Sequence, residues 1–201
     1  MAIEIGSTIP FTAKVGVNGG GNSYLINDEA FPSYEIYECD NMFRNKRVVL
    51  FALPGAFTPV CSAQQLPDFE SKFAELTAAG VEDVYCISVN DPYVVGSWET
   101  LLEIQNVKLI ADVDGTITES LGMMVDKSNL GMGKRSWRYA AVVNNGVVEQ
   151  VFEEPGMVDN CETDPYIAST PSAVLLWLKS SSWIIITLYK CSWSYFLEPW
   201  Y

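Results

Sequence analysis

Arg47-Val-Val-Leu-Phe-Ala-Leu53, followed at once by Pro54-Gly-Ala-Phe-Thr-Pro-Val-Cys-Ser62, decides the architecture. The first stretch is a continuous apolar run of strand length, which fits a central strand covered on both faces. Beyond Ser62, Leu66, Phe69, Phe73 and Leu76 recur at spacings of three and four. That is the buried stripe of a helix, and Gly80 ends it. Residues 84–89 read as a second buried strand, and 92–104 as a helix with Pro92 in its first turn. Residues 108–111 make a short strand, followed by the turn-like Asp112-Val-Asp-Gly115. Two apolar runs, 138–143 and 147–152, flank Asn144-Asn-Gly146, a strong hairpin signal. Residues 171–179 read as a final helix. The order β-α-β-α-β, then a hairpin and a helix, predicts an α/β fold, a central mixed β-sheet flanked by helices on both faces. Upstream, residues 11–39 read as irregular β structure, with Gly19-Gly-Gly-Asn22 as a turn and 34–39 as a weak strand.

The chain has 201 residues, with 12 Lys+Arg against 25 Asp+Glu, a net charge of −13, and no histidine. Without histidine there is no Ser/His/Asp or Cys/His nucleophile pair and no His-ligated metal. Strong acidity argues against nucleic acid and anionic membrane surfaces as partners, since both recruit clustered cations. The five cysteines, Cys39, Cys61, Cys86, Cys161 and Cys191, are odd in number and contain no Cys-x-x-Cys pair. A disulfide scaffold or a zinc ribbon is therefore not expected, nor is any metal or organic cofactor. Met1-Ala-Ile-Glu-Ile-Gly6 lacks the basic start and long apolar run of a secretory signal. A reducing cytoplasm is the expected compartment.

Chemistry is concentrated after the central strand. Read as a helix start, Thr58 is the N-cap, Pro59 takes the first helical position and Cys61 the third. Orphan N–H groups and the positive end of the helix dipole favour a thiolate there. Thr58 and Cys61 are three apart, so hydroxyl and sulfur can face one ligand. The strand's C-terminal edge is where open α/β sheets tend to hold their sites. A thiolate beside a hydroxyl suits a small oxygen electrophile, whereas the plainer reading is a buried cysteine at a helix start. Lys134, Arg135 and Arg138 gather three cations within five positions of an acidic chain. They offer the positive potential a thiolate needs, or simply form a solvated basic loop.

Pro54-Gly-Ala-Phe-Thr58-Pro-Val-Cys61 resembles the Pro-x-x-x-Thr-x-x-Cys motif of the peroxiredoxins, and its longer form resembles the peroxiredoxin-five or type II subgroup. Arg47–Leu53, Ser88-Val-Asn-Asp91, Gly122-Met123 and Gly131–Tyr139 agree as well, so the resemblance covers about residues 5 to 179. It implies a thioredoxin-like fold and a thiol-dependent peroxidase that reduces hydrogen peroxide and organic hydroperoxides in antioxidant defence. By this resemblance Cys61 is the peroxidatic cysteine and cycles through a sulfenic acid. Thr58 orients the peroxide, Pro54 shields the pocket from water, and Arg138 holds the thiolate and polarises the peroxide. The resemblance also implies a homodimer, with glutathione, glutaredoxin or thioredoxin as reductant. Many relatives carry a histidine early in the helix, where Gln64 and Gln65 stand here.

Cys161 lies in an acidic stretch near where animal members keep a resolving cysteine, and is a candidate resolver or a bystander. Cys86, within an apolar strand, reads as core, and Cys39 as structural. Phe57, Leu121, Met123 and Met132 are candidates for an apolar peroxide entrance or for core packing. Pro67 should weaken the helix after Cys61 and help that turn unwind towards a reductant. Residues 1–180 read as one domain, and 181–201 as a hydrophobic C-terminal tail. The tail holds three of the six tryptophans, with Cys191 in a Cys-Ser-Trp-Ser setting. It reads as a possible remnant of a fused glutaredoxin domain, or as an edge strand over 184–189. A competing function is a peroxide sensor or holdase that binds partners through this tail.

Overall fold

The computed structural model of the protein describes residues 2–26 and 29–181. Strands β1 (Lys14–Ile26), β2 (Glu29–Glu38), β3 (Arg47–Leu53), β4 (Asp83–Ser88), β5 (Lys108–Ala111), β8 (Tyr139–Asn144) and β9 (Val147–Glu153) form one seven-stranded sheet. Strands β6 (Met124–Asp126) and β7 (Lys134–Ser136) pair as a separate small hairpin. The helices are α1 (Asp40–Phe43), α2 (Leu66–Ala78), α3 (Pro92–Leu101), α4 (Thr116–Ser120) and α5 (171–181). Across the main sheet the order is β2-β1-β5-β4-β3-β8-β9. β3, β4 and β5 run parallel, joined by crossovers carrying α2 and α3, and the outer pairs are antiparallel. This is the expected mixed α/β sheet of the thioredoxin-like type.

β3 is central because it can be buried on both faces. Val48, Leu50 and Ala52 enter one apolar cluster, while Val49, Phe51 and Leu53 enter the other. On the second face Phe51 stacks on Phe69 of α2 with ring centroids 4.0 Å apart. Such a side chain contributes about 1.5–3 kcal/mol when fully buried, so the stripe read from the sequence is what docks α2. The β8–β9 turn has φ of 49° at Asn145 and 77° at Gly146, the two left-handed residues a tight hairpin demands.

Two expectations need correction. Gly19–Gly21 lie within β1, which runs from Lys14 to Ile26, and not in a turn. The β1–β2 register shifts between Asn18 and Ser23, so the glycines mark an irregularity inside a strand. The helix expected over 92–104 ends at Leu101, and Glu103 takes a left-handed φ of 52°. Helix α4 and the β6–β7 hairpin are too short to carry a readable period. The expected edge strand over 184–189 and Cys191 lie outside the described residues.

Candidate active site

At the C-terminal end of β3 the chain makes a tight loop through Pro54 and Gly55, both buried. The Ala56 N–H donates to Asn90 Oδ1 at 3.0 Å, and Ser88 Oγ donates to the same oxygen at 2.7 Å. The loop is thereby pinned to the end of β4. A side chain at Gly55 would meet Asn90 Oδ1 and Met132 Cε, each at 3.4 Å, so Met132 sits directly on this loop. Phe57, half exposed, holds a left-handed φ of 62°.

The helical turn opens after Thr58, whose carbonyl accepts from Ser62 N–H at 2.9 Å. Thr58 thus occupies the expected N-cap position, but its hydroxyl does not cap. It donates to Gly55 O at 2.8 Å. With its proton committed, Thr58 Oγ1 faces any ligand as an acceptor. Cys61 follows in the first turn and is fully buried. From Cys61 to Gln65 the helix widens to a π turn, and Leu66 N–H bonds to Cys61 O five residues back. Pro67 supplies the cause. Its ring would clash with the carbonyl of Ala63 in a regular α-helix and it has no N–H to give, so an extra residue is accommodated here. Trp98 Nε1 donates to Ser62 Oγ at 3.0 Å and steadies the turn from α3.

Arg138 reaches the same spot through strand register. β3 and β8 pair up to Ala52 opposite Tyr139, so the next residue, Arg138, stands beside the end of β3 where the Pro54 loop begins. Tyr139 belongs to the first cluster and Ala140 to the second, and alternation puts Arg138 on the side of Cys61. Its side chain is 1 % exposed. Nη1 donates to Gln65 Oε1, and Nη2 lies 2.6 Å from both carboxylate oxygens of Asp164. Gln65 Nε2 in turn donates to Ala52 O at 3.3 Å. Arg138 Nε is buried with no hydrogen-bond partner. Burial opposes the guanidinium charge, but Cys61 first and then Asp164 outweigh it, and Arg138 is held above its ordinary pKa.

The rest of the basic cluster does other work. Arg135 Nε donates to Met132 O at 2.9 Å and Nη1 to Val89 O, and Lys134 is exposed. Leu121 and Met123 are fully buried in the first cluster, on the face opposite Cys61. They do not line an entrance, whereas Phe57 and Met132 stand at the site loop.

Cys61 and Cys161 are both free thiols; Cys161 packs partly against the first cluster and Cys61 belongs to the second. Cys161 Sγ lies 3.3 Å from Thr163 Oγ1, and this contact, with the Thr163 backbone and Lys127, holds its thiol below the ordinary pKa. Cys39 is pushed up to about 12 by burial and then by Asp112. Burial, then the charge at Cys61, pushes buried Cys86 well above the usual thiol range. Both match the core reading. Among the described residues, no group of three or more Cys, Asp or Glu is placed to hold a metal ion.

The Redoxin family profile matches residues 35–164. A peroxiredoxin from Rhizobium etli is 55% identical over 145 residues, 72% of this chain and 81% of its own. This chain is a peroxiredoxin. The hybrid peroxiredoxin hyPrx5 of Haemophilus influenzae is 43% identical over 137 residues, 68% of this chain and 55% of its own. The peroxiredoxin also resembles the solved Plasmodium falciparum antioxidant protein, a 1-Cys peroxiredoxin, with a TM-score of 0.78 and 35% identity over 89% of this chain and 99% of that one. Reduced Prx3 from Vibrio vulnificus in complex with hydrogen peroxide gives 0.73 and 30% over 88% and 96%. It falls in the peroxiredoxin-five or type II subgroup and is a thiol peroxidase. Among the described residues, no helix is long and apolar enough to cross a membrane.

Sequence reasoning missed two members of this peroxiredoxin's site. In the sequence Gln65 stands out only as a departure from the histidine of many relatives, whereas in the fold its Oε1 accepts from Arg138 Nη1. Asp164 is one residue of a polar acidic stretch. Only tertiary contact distinguishes it from Glu162 or Asp159.

Proposed function

We propose that Cys61 is the nucleophile of this peroxidase, that Thr58 and Arg138 orient the peroxide, and that Pro54 helps keep water from the sulfur. The observation that carries this is Arg138 Nε, a buried donor without a partner on the guanidinium whose charge Cys61 supports. A hydroperoxide offers what the site lacks, an oxygen to accept from Arg138 and an O–H to donate to Thr58 Oγ1. Thiolate attack on the terminal oxygen forms an S–O bond as the O–O bond breaks. Sulfur is oxidised by two electrons to sulfenic acid, and the departing oxygen leaves as an alkoxide, or hydroxide, that takes up a proton. Donors placed where that charge develops lower the barrier.

Thr58→Val removes the acceptor and the Gly55 anchor. The expected result is a fall of about 10²-fold in the rate constant for peroxide, with Thr58→Ser close to wild type, measured by stopped-flow under single turnover.

The sulfenic acid condenses with an external thiol, releasing water, and a second thiol restores Cys61 while forming the external disulfide. Glutathione or glutaredoxin suits this role best, because a disulfide needs Cα atoms within about 7 Å and Cys161 belongs to the other face. Thioredoxin acting through a Cys61–Cys161 disulfide is the second reading, favoured by the lowered pKa of Cys161. Cys161→Ser decides between them: turnover with glutathione and glutaredoxin is expected to stay within twofold, whereas turnover of the wild type by thioredoxin that is lost in Cys161→Ser would favour the second reading. Pairing as a homodimer in the cytoplasm is part of the proposal.

A fully buried sulfur must come out to meet its reductant, and the π turn is where the helix is already loosened. Hydrogen exchange at 61–66 is expected to rise at least tenfold on conversion of Cys61 to a mixed disulfide. Unchanged protection there would refute unwinding.

A further inference from the structure

We infer that Asp164 is a positioning residue of the peroxidase, the fixed counter-charge that holds Arg138 aimed at Cys61 and stays with it when Cys61 leaves the pocket. This rests on the roles proposed above for Cys61 and Arg138.

Arg138 differs from every other ion-paired cation among the described residues. Its side chain is 1 % exposed, while the next most buried, Arg47, is at 27 %. A cation so far from water needs a permanent anion, since an unpaired buried charge is strongly destabilising. Cys61 cannot be that anion through the cycle. Oxidation to sulfenic acid removes the sulfur's charge, and resolution carries the sulfur away. Asp164 takes no part in the oxidation and engages Nη2 with both oxygens. Gln65 fixes Nη1, and together the two leave Nε for substrate.

A group that positions another must itself be held. Asp164 lies on a strap, residues 159–169, tied down on both sides. Upstream, Asn160 N–H donates to Asp126 O at 2.7 Å, and Asp159 Oδ1 accepts from Asp126 N–H at 2.8 Å. Downstream, Tyr166 Oη donates to Asp68 Oδ2 at 2.9 Å, on the helix that continues from Cys61. Buried Glu154 Oε1 then accepts from the N–H groups of Ile167, Ala168 and Ser169 at 2.9, 2.9 and 2.7 Å. The strap is thus tied to Asp126, at the end of β6, on one side and to Asp68 of α2 and to Glu154 on the other, with Asp164 between these ties.

The test is single-turnover oxidation by hydrogen peroxide in Asp164→Asn, Asp164→Glu and Asp159→Ala, each first checked for a cooperative thermal melt. Asp159→Ala removes a strap anchor that does not touch Arg138. Asp164→Asn is expected to slow the peroxide step at least tenfold, with Asp164→Glu recovering to within threefold of wild type and Asp159→Ala staying within threefold. A slowing of less than tenfold in folded Asp164→Asn overturns the inference. So does equal slowing in all three variants, which would reflect strap integrity and not the charge. If Asp164→Asn does not fold, Asp164→Glu carries the test: a folded Asp164→Glu slowed tenfold or more overturns it, and one within threefold supports it. Cys61→Ser, run alongside, separates the levels. Activity surviving in Cys61→Ser removes the site reading itself, whereas loss there with normal Asp164→Asn removes only the role of Asp164.

Discussion

Cys61→Ser is expected to abolish peroxide turnover, to below one part in 10³ of wild type, in a peroxidase assay coupled to glutathione and glutaredoxin. A hydroxyl at this position cannot supply the nucleophile, because only a thiolate is both charged near neutral pH and polarisable enough to attack peroxide oxygen. The loss should not come from unfolding. Cys61 is fully buried, but serine keeps the volume, and the cost is that of one small polar group in an apolar cluster, about 1–3 kcal/mol. Cys39→Ser and Cys86→Ser place serine in equally buried sites, and turnover there is expected to survive. Full activity in Cys61→Ser would send the chemistry elsewhere.

Arg138→Lys is expected to lower the peroxide rate constant about 10²-fold, equivalent to about 2.7 kcal/mol of transition-state stabilisation. Charge is retained, so the loss reads geometry. One guanidinium serves Gln65 and Asp164 and still keeps Nε free, in a plane an ammonium cannot reproduce. The rate constant from stopped-flow at saturating reductant is the quantity to compare. A lysine variant within threefold of wild type would mean that only the charge at this position matters.

The parts of the fold legible in the sequence are those whose cause is local. Arg47–Leu53 could be recognised because every residue is apolar enough for a strand buried on both faces, and Asn145-Gly146 because few residues accept two left-handed positions. The sulfur, the N-cap position of Thr58 and the weak helix at Pro67 are likewise written in one ten-residue stretch. What the local pattern could not give is how the hydroxyl of Thr58 is used, since donation to Gly55 O depends on how tightly the loop closes. Gln65 and Asp164 lie 73 and 26 residues from Arg138 and meet it only when β8, α2 and the strap assemble. For Leu121 and Met123 the sequence leaves pocket lining and core packing open, because an apolar side chain suits either, and the sheet settles it by placing both in the core on its other face. The glycine run in β1 misled because a flexible stretch serves an irregular strand as well as a turn.

The most direct test of the account is to treat the fully reduced protein with one equivalent of hydrogen peroxide, add glutathione, and locate the modification by intact mass and peptide mapping. The account predicts a single glutathione adduct on Cys61, passing through the gain of one oxygen at that sulfur when glutathione is withheld. First oxidation at Cys161 or another cysteine, with Cys61 recovered as the free thiol, would contradict it.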